Sequence, residues 1–314
     1  MTFDPLSEVL SVLVPRSYIT AGFDAGGSWA LTLDDLAGRI KCYVVMKGRC
    51  WLWVAGIDRA LQLGEGDCFV LASGRTAVIA SDLDTEPRLA SEVLDPNRSG
   101  EVVVHNGGGD VFLVGSRFDL AGPHAGMMLQ ALPPLIRIDT VRESATMKLF
   151  IDMMMDELRE ARPGSSQIAQ NLSHMMLAQA LRLYLSSSAQ TEIGWIAALA
   201  DPRLNAAIAA MHSQPSHAWT LDDLAARAAM SRSSFARHFR SRVGETPLAH
   251  LTRWRMILAC QKLATGHETV GQIALASGYT SEYSFNTAFR RIIGQSPGRY
   301  RHTEKQAATS AYSA

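Results

Sequence analysis

Thr220-Leu221-Asp222-Asp223-Leu224-Ala225, a turn at Ala229-Met230-Ser231, then Phe235-Ala236-Arg237-His238-Phe239, closing on Gly244 and Pro247, is written twice in this chain. The second copy runs Thr269-Val270-Gly271-Gln272-Ile273-Ala274, turns at Gly278-Tyr279-Thr280, continues Phe285-Asn286-Thr287-Ala288-Phe289 and closes on Gly294 and Pro297. The Phe235/Phe285, Phe239/Phe289, Gly244/Gly294 and Pro247/Pro297 pairs share an offset of 50, whereas Ala225/Ala274 has an offset of 49. The second turn is therefore predicted to carry one extra residue. Each copy reads as helix-turn-helix. Thr220 with Asp223, and Thr269 with Gln272, fit the capping box that satisfies orphan backbone N–H groups, and Ser231 is placed to cap the second helix of the first copy. Phenylalanines four apart share a helix face, which predicts that Phe235 and Phe239, and Phe285 and Phe289, turn inward.

That choice of core fixes what faces out: Arg232, Ser233, Ala236, Arg237 and Arg240 on the first copy, and Ser281, Glu282, Tyr283, Asn286, Thr287 and Arg290, followed by Arg291, on the second. The first turns of such a helix enter the major groove of double-stranded DNA. Arg237 is the leading base reader, because a guanidinium fork grips guanine O6 and N7 together; Asn286 suits adenine and Glu282 a cytosine amino group. Glu282 equally suits the positive end of its own helix dipole. Arg240, Arg242, Arg290, Arg291, Arg299 and Arg301 are expected at phosphates, which position without specifying. Between the copies, Thr246-Pro247 opens a helix with proline in its first turn, with Leu248, Leu251, Trp254 and Leu258 as its apolar face and Gly266 as its end. A strut of ~18 residues spans ~27 Å, comparable to the ~34 Å repeat of DNA.

Charge points the same way. The chain of 314 residues is formally neutral, but residues 215–302 hold 12 basic and 5 acidic side chains, net +7, while residues 1–214 hold 17 and 24, net −7. Basic charge confined to one module is the footprint of a nucleic-acid binder.

Residues 215–302 resemble the DNA-binding domain of the AraC/XylS transcription regulators. The resemblance rests on Ala274-Leu275-Ala276-Ser277-Gly278-Tyr279, on Ser284-Phe285 with Phe289-Arg290, and on Gly294-x-x-Pro297-x-x-Tyr300-Arg301. In that family the first recognition helix makes the stronger base contacts. By position this implies Ser233, Ala236 and Arg237.

Working outward, residues 1 to about 120 read as β-rich: Ile40–Val45 and Cys50–Val54 around a Lys47-Gly48 hairpin turn, Cys68–Ala72, Val78–Ala80, Val102–Val104 and Val111–Val114, separated by Gly/Asp turns. Many short strands with such turns indicate a sandwich or small barrel. After Pro133-Pro134 the period changes to helical. Met147, Phe150, Ile151, Met154 and Leu158 mark one helix; Leu172, Met175, Met176, Gln179 and Leu183 mark a second over Ile168–Leu185; Asp201-Pro202 starts a third. The methionines at 153–155 and 175–176 read as core or dimer seam, or as an adaptable binding surface.

Gly64-x-Gly66-Asp67-x-Phe69-Val70-Leu71, Leu132-Pro133-Pro134-Leu135-Ile136, the helices over 145–185 and Leu199-Ala200-Asp201-Pro202-Arg203-Leu204 resemble the cupin-type sensor domain of one branch of that family. This implies a small barrel that binds a small-molecule effector and helices that form a homodimer. Many cupins hold a metal through histidines and a glutamate. Here Cys42 and Tyr43, and the loop Gly74-Arg75-Thr76-Ala77, stand where histidines would, and His105 and His124 lie by glycine or proline loops, so no metal, no cofactor and no catalytic residue is expected. With Lys47-Gly48 as a two-residue turn, Cys42, Val44, Trp51 and Trp53 share one face and are the effector-site candidates, against a core-only reading; Cys42 and Cys50 then lie on opposite faces.

The expected architecture is α+β: a cupin-like β-barrel over 1–125, a helical linker and dimerisation region over 126–200, an all-α double helix-turn-helix domain over 201–302 and a disordered tail over 303–314. The expected function is a ligand-responsive, sequence-specific DNA-binding transcription regulator, with RNA polymerase as a further partner. The alternatives are a redox-responsive regulator using a cysteine thiol, or a metal-dependent cupin enzyme fused to a DNA-binding tail. No apolar run reaches the ~18 residues of a membrane span, and the N-terminus lacks a signal-peptide pattern. Four cysteines without CxxC spacing make neither a disulfide framework nor a zinc module. A cytoplasmic location follows by elimination.

Overall fold

The computed structural model describes residues 4–12, 15–72, 74–94, 101–120, 129, 132–138, 145–160, 162–186 and 194–312. The chain divides into two compact units: Pro15–Leu120 with Leu132–Ala189, and Met1–Val14 with Ala121–Ala131 and Gln190–Ala314.

The first unit is built on two sheets. One has six strands: β11 (Leu135–Ile138), β6 (Cys68–Leu71), β3 (Arg39–Lys47), β10 (Val111–Leu120), β1 (Pro15–Ala25) and β9 (Val102–His105), in that spatial order. The other has five: β5 (Leu61–Gly64), β4 (Arg49–Val54), β7 (Ala77–Ala80), β2 (Ala30–Leu33) and β8 (Arg88–Leu89). A single turn of helix, α2 (Ala90–Val93), follows β8. Successive side chains on a strand point to opposite faces. One face of each sheet supplies a shared core: Phe23, Leu31, Leu33, Val45, Leu52, Val54, Leu63, Phe69, Leu71, Ile79, Val111 and Leu113.

The Lys47-Gly48 hairpin does not form. Gly48 is a corner, but β3 pairs with β10 and β6, whereas β4 pairs with β7 and β5. The chain steps from one sheet to the other there. Two apolar strands flanking a glycine look alike whether they pair or part, because each finds an equally apolar neighbour elsewhere.

Two long helices, α3 (Ala145–Glu160) and α4 (Ser165–Ser186), complete this unit. The predicted stripe on α3 is buried at Met147, Ile151, Met154 and Leu158, with Met155 joining it and Phe150 half-buried. On α4 the buried face is rotated from the expectation: Ala169, Leu172, Ser173, Met176, Leu177, Ala180, Leu181 and Tyr184 turn in, and Met175 turns out. A small polar residue explains the rotation. The buried Ser173 hydroxyl lies 2.9 Å from that of Ser116 on β10 and donates to Ala169 O at 2.8 Å, so it sits on the sheet side without an unmet donor.

The second unit is helical. It contains α1 (Pro5–Val12), which the β-rich reading of the front half did not foresee, then α5 (Trp195–Ala198), α6 (Pro202–Ser213), α7 (Leu221–Arg227), α8 (Arg232–Val243), α9 (Pro247–Thr265), α10 (Val270–Ala276), α11 (Glu282–Ile293) and α12 (Pro297–Tyr312). The two helix-turn-helix copies are α7–α8 and α10–α11. The central α9 has 19 residues, about 28 Å of helix. It buries far more than one stripe: His250, Leu251, Trp254, Met256, Ile257, Ala259, Cys260 and Leu263 are all inside, while the predicted Leu248 is exposed and Leu258 half-buried. A helix serving two small cores on different sides cannot be amphipathic in the ordinary sense. The last helix runs on to Tyr312, through most of the stretch read as a disordered tail. Tyr300 and Glu304 are buried on it, and a Gln-Ala-Ala run favours continuing a helix once it is anchored.

Candidate functional site

Both copies are capped as the sequence predicts. The Thr220 hydroxyl accepts from Asp223 N at 3.2 Å and the Asp223 carboxylate accepts from Thr220 N at 3.0 Å; Thr269 and Gln272 do the same at 3.2 and 2.8 Å. Ser231 and Ser281 cap α8 and α11 by accepting from Ser234 N and Ser284 N. Four residues separate α7 from α8 and five separate α10 from α11, which is the extra turn residue. The left-handed position of each turn falls on Ala229 (φ 51°) and Gly278 (φ 79°). Both recognition helices end in left-handed glycines, Gly244 and Gly294, the usual helix stop.

The exposure pattern from Ser231 to Arg240 is identical, position by position, to that from Ser281 to Arg290. Phe235, Phe239, Phe285 and Phe289 are fully buried. Arg232, Ser233, Arg237 and Arg240 are exposed with Ala236 half-buried; Ser281, Glu282, Tyr283, Thr287, Arg290 and Arg291 are exposed with Asn286 half-buried. Tyr283 stands out most, at 83% exposed. Several of these groups already have local partners. Arg232 pairs with Asp222 at 3.3 Å, the Ser281 hydroxyl both caps its helix and donates to the Ser284 hydroxyl at 3.0 Å, and the Thr287 hydroxyl donates to Tyr283 O at 3.0 Å. Beside α8, Leu221, Ser233, Ala236, Arg237, Arg240, Thr246, Pro247 and Leu248 line a groove of about 510 Å³. The Arg301 guanidinium is not at the surface as a phosphate contact: it is half-buried and donates to Glu268 O at 2.5 Å, tying α12 to the loop before α10.

No local pattern announces what holds the first copy in place. The His238 ring, on the flank of α8, meets the Asp201 carboxylate at 2.6 Å, while Asp201 also caps α6. Gly194 N donates to Arg242 O at 2.9 Å. Behind α8 lies a buried aromatic cluster in which the His212 ring stacks on Trp254 with centroids 3.9 Å apart. His212 Nε2 and His250 Nε2 are 3.0 Å apart, and His250 Nδ1 is 3.1 Å from the Glu245 carboxylate. A carboxylate only accepts, so His250 Nδ1 carries the proton, its bare Nε2 accepts from His212, and His212 Nδ1 is left unprotonated. That nitrogen is buried without a partner. Burial pushes both histidines below the ordinary value of 6.5, with His250 adding to the effect on His212. The second copy is braced differently. Arg255 donates to Pro215 O at 2.6 Å and His217 O at 2.8 Å and lies over the Tyr279 ring.

In the β unit, the four residues predicted to line one effector pocket do not come together. Cys42 and Val44 are buried on the six-stranded sheet, on the face where Ser116 meets Ser173 of α4. Trp51 and Trp53 lie on the outer face of the five-stranded sheet, half-buried and exposed, opposite Ala80 and Val78 of β7. They floor a groove of about 340 Å³ walled by residues 82–87. The failed hairpin is the cause, since the shared face was inferred from it. An ionic group that sequence reasoning missed lies on the core-facing side of β3 and β10. Asp35 holds Lys41, Arg39 (3.3 Å) and Arg117 (3.5 Å), and Asp119 holds Arg39 (2.6 Å) and Arg117 (3.2 Å). Tyr43 beside it is pushed up, chiefly by burial.

The redox alternative needs an exposed thiol with a lowered pKa. All four cysteines are free and buried. Burial raises Cys50 and Cys260 to about 12, and Cys68, whose Sγ is 3.9 Å from that of Cys42, is also raised. His105, by contrast, stacks on Phe23 at 6.0 Å, and His124 lies outside the described residues. Among the described residues, no helix is long and apolar enough to cross a membrane.

Residues 4–186 match the Cupin family and residues 224–303 the Helix-turn-helix domain family. The chain is 38% identical over 300 residues, 95% of its length and 98% of the relative's, to an AraC-like transcription regulator of Streptomyces lividans. It is 32% identical, over 76% of its length and 79% of the relative's, to the HTH-type transcriptional regulator AlkR of Acinetobacter baylyi. Among solved structures, the DNA-binding domain of AdpA in complex with a target DNA is 34% identical, covering 34% of this chain and 96% of that one, with a TM-score of 0.32.

Proposed function

This chain belongs to the AraC-like DNA-binding transcription regulators, and from that premise we propose that α8 and α11 read neighbouring stretches of one duplex under the control of a small molecule bound by the β unit. The observation that carries the DNA half is the matched exposure along Ser231–Arg240 and Ser281–Arg290, which offers two sets of side chains in one helical register. On α8, Arg237 reads guanine, and Ala236 with the apolar groove at Leu221 and Leu248 suits a thymine methyl. Arg240, Arg290 and Arg291 hold phosphates. On α11, Asn286 and Tyr283 face the bases, and Glu282 serves its helix's first turn. Effector binding shifts the population between DNA-holding geometries. The chain acts as a homodimer through α3 and α4, where Leu149, Met153, Ile168 and Met175 are exposed and lone apolar stripes favour a partner. RNA polymerase is the further partner of this reading.

Retardation of the DNA upstream of its own gene, with footprinting, tests the proposal. Two protected segments on one duplex are expected, with affinity falling steeply as salt rises because phosphates are neutralised. Absence of retardation at low ionic strength, or binding indifferent to salt, would sink it.

A further inference from the structure

We propose that the outer face of the five-stranded sheet carries a binding site for an organic cation with an aromatic, apolar body, seated on Trp51 and Trp53 under the 82–87 loop. The proposal deepens the sensor reading and rests on it only for its regulatory consequence.

The floor is aromatic and roomy. In the β4–β7 register Trp51 sits opposite Ala80 and Trp53 opposite Val78, so on that side each indole meets a short aliphatic side chain instead of a second large ring. Trp53 is 40% exposed and Leu83 is more so. This is a large apolar surface that folding left uncovered, whereas the facing sheet has α4 against it at Ser116 and Phe118. A volume of about 340 Å³ lies in the ~300–1,000 Å³ range of small-molecule sites.

The wall is acidic and fixed in shape. The Asp82 carboxylate accepts from Ser81 Oγ at 2.7 Å, Thr85 Oγ1 at 2.8 Å, Thr85 N at 2.9 Å and Asp84 N at 3.1 Å. Those donors, led by Ser81 and Thr85, hold it down to about 2, so it is charged at any working pH. Asp84 and Glu86 add two exposed carboxylates, and none of the lining residues is basic. Three negative charges with no basic side chain among the residues that line the groove repel an anion, and a neutral apolar guest would strip water from them with no return. A cation gains twice, from the carboxylates and from the negative faces of the indoles. Charge complementarity thus selects the occupant from among molecules of this size.

The test uses the full chain and tetraphenylphosphonium, with tetraphenylborate as an anion of the same shape. Calorimetric titration should show the phosphonium binding and the borate at least about tenfold weaker. Trp53→Ala should weaken phosphonium binding by about tenfold, and Asp84→Asn with Glu86→Gln by a smaller factor, as expected for cation–π and exposed ionic contacts. These are surface positions, so the variants keep the fold. Equal binding of both ions, or phosphonium binding unchanged in Trp53→Ala, would overturn the site. So would a dimer, seen by sedimentation, that Trp53→Ala dissolves in a chain that binds no phosphonium; the face would then belong to a second copy. DNA retardation with and without phosphonium separates the two claims. Changed DNA affinity supports both, while Trp53-dependent binding with unchanged DNA affinity keeps the site and overturns its role as sensor.

Discussion

The two helix-turn-helix copies share a frame of inward phenylalanines, caps and stops and differ in almost everything they show to solvent. Both turn a pair of phenylalanines inward at the same spacing, open on a capping box and stop at a left-handed glycine. Outward, α8 carries Arg232, Arg237, Arg240 and Arg242 and no acid, while α11 opposes Glu282 to Arg290 and Arg291. The cores beneath also differ. Phe235 and Phe239 pack toward a cluster containing His212, His250, Trp195 and Trp254; Phe285 and Phe289 pack on Met256, Cys260, Leu263, Ile273 and Tyr300. Duplication thus preserved the geometry of presentation and left both the presented chemistry and the supporting core free to diverge.

If the scaffolds are equivalent, Phe239→Ala and Phe289→Ala should each destabilise by about 3–5 kcal/mol, as for other buried phenylalanines, in urea unfolding of the full chain. A large inequality would break the equivalence. The outward difference predicts a split. Arg237→Ala should cost about 1–3 kcal/mol of specific affinity and relax preference at one base pair. Arg290→Ala should weaken all sequences alike and reduce the salt slope by about 1. Matched losses from both would mean that the two arginines do the same job.

The turns give a smaller and asymmetric effect. Gly278→Ala should cost about 1–2 kcal/mol or more, because a left-handed side chain is strained and its Cβ would fall 2.6 Å from Ser216 O. Ala229→Gly relieves strain at the matching position but frees the unfolded chain, so a net change under about 1 kcal/mol is expected. Thermal unfolding of both variants checks this.

Acid should separate the cores. His212 and His250 bind protons less readily folded than unfolded, so their contribution is intact above the ordinary value of 6.5 and lost as pH falls below it. Hydrogen exchange should show α8 loosening before α11 on acidification. His212→Phe should remove the difference, and simultaneous loosening in the wild type would refute it.

Local signals were the legible ones. Capping boxes, paired aromatics at four-residue spacing, the extra turn residue and the outward set on each recognition helix all depend on neighbours within one or two turns, so the chain spells them directly. The strands around Cys42 and Trp51 were legible as strands, yet their partners were not. Nothing within a strand says which of several apolar neighbours it will hydrogen-bond, and the Cys42, Val44, Trp51, Trp53 pocket fell with that one pairing. The tail failed for a related reason: Tyr300 and Glu304 anchor α12 through burial that no adjacent residue announces.

By itself, then, the amino-acid order determined two capped, phenylalanine-backed helices bearing arginines, because helix periodicity is written in steps of three and four. Tertiary structure alone decided the bond between His238 and Asp201, 37 residues apart, the His212–His250 pair, 38 apart, and which sheet each strand joined. Those choices settle between surfaces far apart in the chain, where the energy comes from burying complementary groups together and not from anything a local pattern encodes.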